Sequence, residues 1–372
     1  MKKYKLLYFV SEDEYFLSHK IKQAHSALKN NLDVLVVCKF SNYEKKIKSM
    51  GFKTHHLNMD RRSVNLFKEL FCLIKFYKIV KEFEPDFIQS MALKPILYTS
   101  LISKLIGKTK ILLCVVGLGF LFINKNISTG LIKYFYIALL RIFLIKNKAL
   151  FIFQNNDDKL IFEKKKIIKY SKFKIIRGSG VDTSKFKKKS TKKIFDVIFH
   201  SRILYDKGFL ELINAVRIIK KKRSIKVLIL GIPDYGNKSA VEYKKLNDWQ
   251  KEKLIVWYGK KKNVIPYLQK SRVAVLPSYR EGLPKSMLEA SSCELPLITS
   301  NVEGCKEICI DGFNGILVPA KDYISLSKAI EKILENKELE ALYGRNGRKF
   351  IQKNFSDKII NKQFINIYKN WI

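Results

Sequence analysis

Acidic residues are scarce. The 372-residue chain holds 33 Asp and Glu against 72 Lys and Arg, a formal net charge of +39. Arginine is scarce too: it supplies 11 of those basic residues, so lysine carries the charge. The surplus is spread along the chain rather than gathered in a tail. Lysine, isoleucine and asparagine are abundant together, a pattern that AT-rich codons produce. A surface this positive attracts polyanions and anionic bilayers. Nucleic acid is not the expected partner. Reading it calls for arginine on base edges, aromatic stacking platforms or a known binding motif, and the sequence offers none. An anionic membrane surface matches better.

Cysteine is sparse. Cys38, Cys72, Cys114, Cys293, Cys305 and Cys309 are scattered, and no Cys or His pair accompanies Cys305 and Cys309. A zinc site and a disulfide framework are both disfavoured. Most of these residues lie in apolar runs and read as buried thiols of a reducing cytosol. The N-terminal segment lacks a signal-peptide apolar region and cleavage site. A spanning helix needs roughly 20 largely uncharged residues. The most apolar stretch, LIKYFYIALLRIFLI at 131–145, is shorter and contains Lys133 and Arg141. It reads either as a buried or half-buried helix or as an interfacial helix on a bilayer, Lys146 and Lys148 extending its basic face. The expected location is cytoplasmic, peripheral on the inner face of the cell membrane. Fixed-period repeats are absent, as are low-complexity segments apart from the lysine runs.

What is present is alternation. Short apolar strands are expected at 4–10, 34–38, 52–57, 85–89, 110–116, 149–153 and 173–177, with helices between, among them 64–83 and 95–106. Asn156 or Asp157 is expected to cap the helix after the sixth strand. A second series follows at 194–200, 225–230, 254–258, 273–276, 295–299 and 315–318. Strand–helix alternation of this kind argues two parallel sheets covered by helices. The boundaries expected are a first domain at 1–182, a linker at 183–193, a second domain at 194–355, and a last helix at 356–372 with Ser356 as its cap. The linker is read from its Lys/Ser/Thr composition.

One stretch concentrates the chemistry, VAVLPSYREGLPKSMLE at 273–289. A buried strand ends at Pro277. Gly282 permits close backbone approach, and Pro284 suits the first turn of the helix that follows. A helix N-terminus at a strand's carboxyl end is a seat for an anion. Glu281 and Glu289 bracket it with seven residues between. On spacing alone a capping glutamate and a surface helical glutamate are the better explanation of the pair, since Glu pairs are common on helices.

The surrounding residues Pro277-Ser278-Tyr279-Arg280-Glu281-Gly282-Leu283-Pro284, then Glu289-Ala290, Pro296-Leu297-Ile298 and Glu303-Gly304-Cys305-Lys306-Glu307, resemble retaining glycosyltransferases of family four. The resemblance implies the GT-B architecture: α/β, two Rossmann-like doubly wound domains facing each other across a cleft. It implies that Glu281 contacts the donor sugar, that the Gly282 and Leu283 amides assist, and that Glu289 holds the nucleotide ribose. Arg202 and Lys207 match the family pattern R-x4-KG and would stabilise the departing diphosphate. On composition alone they are two ordinary surface cations. Gly231 and Lys260 lie in loops that approach the base in the family. In the first half, His19 and Gly117, in the Gly117-Leu118-Gly119 loop, are the acceptor-side candidates that the resemblance implies; on its own a lone histidine is more often structural and the glycine loop only permissive. The likeness is to a branch of capsule and lipid-linked oligosaccharide transferases.

That branch implies transfer of a hexose or N-acetylhexosamine from a UDP-sugar donor to a polyprenyl-diphosphate-linked saccharide acceptor, with no metal and no cofactor. The last helix would cross back onto the first domain. Two alternatives stand beside this reading, a UDP-sugar epimerase of the same architecture and a non-enzymatic basic protein at the membrane.

Overall fold

The structure is a computed structural model that describes residues 3–60, 63, 65–118, 122, 127–144, 149–168 and 172–371. Val64, Gly119, Ile145, Lys146 and Lys148, named above, lie outside the described residues. The chain divides into two compact units, 1–179 with 360–372, and 180–359.

The first unit is built on β1 (Tyr4–Glu12), β2 (Leu32–Lys39), β3 (Lys53–His56), β4 (Phe87–Met91), β5 (Lys110–Val115), β6 (Ala149–Phe153) and β7 (Lys172–Ile175). Their order in the sheet is β3-β2-β1-β4-β5-β6-β7, and the pairings are parallel. Side chains alternate between two buried faces, as strand geometry requires. In β1, Leu7 and Phe9 enter one core while Leu6, Tyr8 and Val10 enter the other. Burial on both faces makes the strand continuously apolar. Each such side chain contributes about 1.5–3 kcal/mol.

Three helices over the first of these cores matter below: α1 (Leu66–Phe83), α2 (Leu93–Ile102) and α3 (Ile127–Phe143). Helix α3 occupies most of the 131–145 stretch. Tyr136, Ile137 and Leu140 are buried, while Leu131, Tyr134, Phe135 and Ile142 are exposed. No helix among the described residues is long and apolar enough to cross a membrane. The helix after β6 is capped by Asn155, whose side chain accepts from Asp158 N at 2.8 Å, rather than by Asn156 or Asp157. The cap falls one residue earlier because Asn155 still has extended backbone.

The second unit carries β8 (Phe195–His200), β9 (Val227–Leu230), β10 (Val256–Trp257), β11 (Ser271–Leu276), β12 (Leu297–Ser300) and β13 (Gly315–Val318), with helices α4 (Phe209–Lys220) and α5 (Lys285–Ser292). The sheet order is β10-β9-β8-β11-β12-β13, again parallel. The strand order reverses between β1 and β4 in one sheet and between β8 and β11 in the other. Ligands in open α/β sheets bind beyond the carboxyl ends of the strands at such points.

The last helix, α6 (Asp357–Trp371), starts in the second unit and runs into the first. Phe364, Ile367 and Tyr368 are buried against Leu6, Tyr8 and Phe87 of the first sheet. Tyr368 Oη donates to Gln89 Oε1 in that core.

The segment 183–193 is not a free linker. It belongs to the second unit, whose edge lies at Gly180. Gln269 Nε2 donates to Lys187 O at 2.8 Å, and Thr191 Oγ1 donates to Gln269 O at 2.8 Å. Arg348 donates to Phe186 O at 3.0 Å. A polar, lysine-rich composition reads as mobile chain, yet its backbone carbonyls find long-range donors.

One close approach fixes the second unit's site. Gly208, the cap of α4, has φ +69, and a Cβ there would lie 2.0 Å from Pro277 O. We expect Gly208→Ala to cost upwards of about 3 kcal/mol, since both the left-handed backbone and the contact oppose it. Urea unfolding should show a lowered midpoint for the second unit; an unchanged midpoint contradicts the close packing.

Candidate active site

The reversal between β8 and β11 brings two loops together. From β8 come His200, Ser201 and Arg202, then a tight turn at Tyr205–Lys207 and Gly208. From β11 come Pro277 to Pro284 and then α5. The two loops are tied by backbone: Tyr279 N donates to Asp206 O at 2.9 Å. Tyr279 Oη donates to Glu211 Oε1 on α4 at 2.7 Å. Across this seam Lys207 Nζ donates to Glu281 Oε1 at 2.5 Å, both side chains largely buried. Ser278 Oγ donates to the same oxygen at 2.7 Å. Cys305 is close enough for the Glu281 charge to act on it: burial, then that charge, pushes the thiol well above its ordinary 9.0.

The loop after β12 closes on the same peptide. Gly304 has φ +75, and a Cβ there would stand 2.4 Å from Gly282 O and 2.6 Å from Glu281 O. The Glu-Gly-Cys stretch of the sequence is thus a wall against the Glu281–Gly282 backbone. Pro284 caps α5 with extended backbone and precedes the first helical turn rather than occupying it. Leu283 packs against the core.

Glu289 lies on α5 with two partners. His200 Nε2 donates to Glu289 Oε2 at 3.3 Å, and Lys285 Nζ lies 3.6 Å from Oε1. Burial pushes the Glu289 carboxyl up, but the His200 hydrogen bond and charge, with Lys285, overcome it and hold the group below its ordinary 4.5. His200 Nδ1 is buried without a hydrogen-bond partner among the described residues. A buried polar atom of this kind marks a place for a ligand or water. His200 carried no role in the sequence reading. The signal available was its position, last in the strand before Ser201-Arg202.

The remaining residues expected on the donor side are placed differently from one another. Arg202 does not join the glutamates: its guanidinium pairs with Asp234 at 2.8 Å and is about half exposed, at 54%. The two meet because the loop after β8 runs beside the loop after β9, with Ile203 N donating to Ile232 O at 3.1 Å. Gly231 is held within that wall, its amide donating to Gly259 O and its carbonyl accepting from Trp257 Nε1, both at 2.9 Å. Lys260 is exposed in the loop after β10.

In the first unit, His19 sits in a π-helical turn, Phe16–Lys20, after β1. Its ring stacks on Tyr15 with centroids 4.7 Å apart, and Ser18 Oγ lies 2.7 Å from Nδ1. Gly117 follows β5 with φ +117. The structure adds Ala92, which follows β4 at the sheet's reversal and caps α2 with φ 77 and ψ 163. A non-glycine residue there is strained, and strain of this kind collects at functional sites.

The family profile of Glycosyl transferases group 1 matches residues 181–350, and that of Glycosyl transferase 4-like matches 5–155. This chain is a family-four glycosyltransferase with the GT-B fold. The enzyme is 26% identical over 358 residues, 92% of each chain, to the N,N'-diacetylbacillosaminyl-diphospho-undecaprenol alpha-1,3-N-acetylgalactosaminyltransferase of Campylobacter jejuni. It is 26% identical to the UDP-Gal:alpha-D-GlcNAc-diphosphoundecaprenol alpha-1,3-galactosyltransferase of Escherichia coli, over 81% of this chain and 77% of that one. Among solved structures, the sucrose-phosphate synthase of Thermosynechococcus elongatus superposes with a TM-score of 0.83 at 16% identity, covering 99% of both chains. The family glycosyltransferases named here place this enzyme in glycan biosynthesis.

The pKa of Glu289 makes a pH prediction. A depressed folded pKa gives stability that is present above the ordinary 4.5 and lost as pH falls through the folded value. His200→Ala removes the main stabilising partner of that carboxylate. We expect about 1–3 kcal/mol of lost stability near neutral pH. The gap to wild type should narrow as acid protonates Glu289. Urea midpoints measured across pH check it; a gap independent of pH contradicts the pairing.

Proposed function

We propose that this enzyme is a retaining transferase that moves a hexose or N-acetylhexosamine from a UDP-sugar to a saccharide carried on polyprenyl diphosphate. The observation that carries the reading is the buried Lys207–Glu281 pair at the reversal between β8 and β11. It is supported by the two relatives above, which by name act on diphospho-undecaprenol-linked sugars, one of them with UDP-galactose.

In this reading Glu281 orients the donor sugar with help from the Gly282 and Leu283 backbone. Glu289, held anionic by His200 and Lys285, takes the ribose hydroxyls. Lys207 and Arg202 face the diphosphate, whose charge grows as it leaves, and preorganised cations act most strongly on such growing charge. The positive charge comes from these side chains, so neither a metal nor a cofactor is invoked. Gly231 and Lys260 border the base. The first unit takes the acceptor, with His19 and Gly117 as its contacts. The bond from the sugar's anomeric carbon to the UDP oxygen breaks, and a bond to the acceptor oxygen forms on the same face. The acceptor's proton passes to the leaving phosphate. The enzyme works on the cytoplasmic face of an anionic membrane.

A panel of radiolabelled UDP-sugars against lipid-linked acceptors in detergent tests the reading; transfer to none of the acceptors removes the lipid-acceptor assignment. Glu281→Ala should lower kcat by about 100- to 1,000-fold, and Lys207→Ala by a similar factor. UDP affinity should change much less in Glu281→Ala than kcat does. Glu289→Ala should instead raise the donor KM. Melting curves of each variant separate lost catalysis from an unpaired buried charge. Full turnover in Glu281→Ala sinks the assignment.

A further inference from the structure

Helix α1 buries one side and leaves the other bare. Cys72, Phe76, Ile79 and Val80 face inward. Leu66, Phe67, Leu70, Phe71 and Ile74 are exposed, the first two at 82% and 87%. Single exposed apolar residues are ordinary on protein surfaces. Five large ones on the outer side of about two and a half turns are a patch.

The stripe changes character along the helix axis. Lys78 stands about three turns beyond Phe67 at nearly the same angle round the axis, with Lys81 one turn further. Both are exposed. Lys75 Nζ lies 4.4 Å over the Phe71 ring. Glu69, the acid within the apolar turns, faces away: Lys94 Nζ lies 2.8 Å from its carboxylate, which also accepts from Tyr98 Oη at 2.5 Å. Glu82 stands at the far end. The outward stripe is therefore apolar at one end and cationic at the other. Helix α3 lies in the same layer, since both helices pack on α2 over one face of the sheet. It turns Tyr134 and Phe135 outward, 68% and 62% exposed.

We propose that the outer side of α1, Leu66 to Ile74, is the surface by which this enzyme enters an anionic lipid bilayer. Lys75, Lys78 and Lys81 sit among the head groups, and the bare side of α3 makes a second contact. Charge selects this occupant. A second copy would bring another +39 chain against the same lysines, whereas anionic lipid satisfies the apolar and cationic ends together. The proposal deepens the lipid-linked acceptor reading by naming the surface that reaches the lipid, and its vesicle-binding readout needs no acceptor.

Full-length protein is sedimented with vesicles of phosphatidylcholine containing phosphatidylglycerol, and with phosphatidylcholine alone. We expect binding to the anionic vesicles that weakens with salt. Phe67→Ser combined with Phe71→Ser should lower that partition about tenfold per side chain. Lys78→Gln combined with Lys81→Gln should flatten the salt dependence. Both side-chain pairs are exposed, so melting temperature should hold, and transfer to a short-chain water-soluble acceptor should be unchanged. Three results overturn the proposal: wild-type partition in the Phe67/Phe71 variant, loss only in a Tyr134→Ser/Phe135→Ser variant, or a change of oligomeric state in place of a change in vesicle binding. If wild type transfers no sugar yet its vesicle binding follows these variants, the donor–acceptor reading falls and the docking surface stands.

Discussion

The second unit depends on a buried ion pair whose partners lie on different loops. Lys207 and Glu281 meet at 2.5 Å. Burying two charges is costly unless geometry and further hydrogen bonds compensate. Here the backbone sets the geometry before the side chains do. Gly208 lies directly on Pro277, and Asp206 and Tyr279 join by their main chains. Ser278 supplies the extra hydrogen bond to the carboxylate. A side chain at Gly208 or Gly304 would push the loops apart and part the lysine from the glutamate. The sterics of two glycines thus set the electrostatics of the site.

The two sheets reverse at equivalent places but equip them differently. At the β8/β11 reversal the groups are charged, paired and mostly buried, an arrangement suited to a ligand whose charge changes. At the β1/β4 reversal the groups are a π-helical turn bearing His19 and a strained Ala92. Asp13 beside them is engaged structurally, its carboxylate accepting from the amides of Glu14, Ser41, Asn42 and Tyr43. Burial raises its pKa and those amides more than reverse it. Of the acids Glu12, Asp13 and Glu14 at the carboxyl end of β1, Asp13 therefore organises the turn that follows.

The alternation of short apolar strands was enough to read both parallel sheets, because strands buried on two faces have little freedom of composition. The motif residues also carried Lys207 and Glu281, whose neighbours are short in sequence and restricted in type. What stayed hidden depends on contacts between distant segments. Asp234 follows Arg202 by 32 residues, in the loop after the next strand, and no spacing rule singles it out. His200 looks like the end of any buried strand until Glu289 is seen beside it. The segment 183–193 has a linker's composition, and only its carbonyl partners show otherwise. Helix α1 is the plainest case. Its first turns are apolar nearly all round, so periodicity could not tell the side facing the core from the side facing out.

The distribution of acids explains why the surface is left so positive. With 33 acidic residues against 72 basic ones, each acid placed inside or in a partly buried pair is missing from the exterior. Glu281 and Glu289 are paired at the β8/β11 reversal, Asp13 binds amides, and Glu69 is turned in toward Lys94 and Tyr98. Glu340 is half-buried and holds Arg272 at 2.7 Å. The lysines of the outer face of α1 therefore have few carboxylates of their own to meet. A cationic stripe continuous with five bare apolar side chains lowers its free energy most against a partner that is itself anionic at its surface and apolar beneath, and a lipid leaflet has that order of layers.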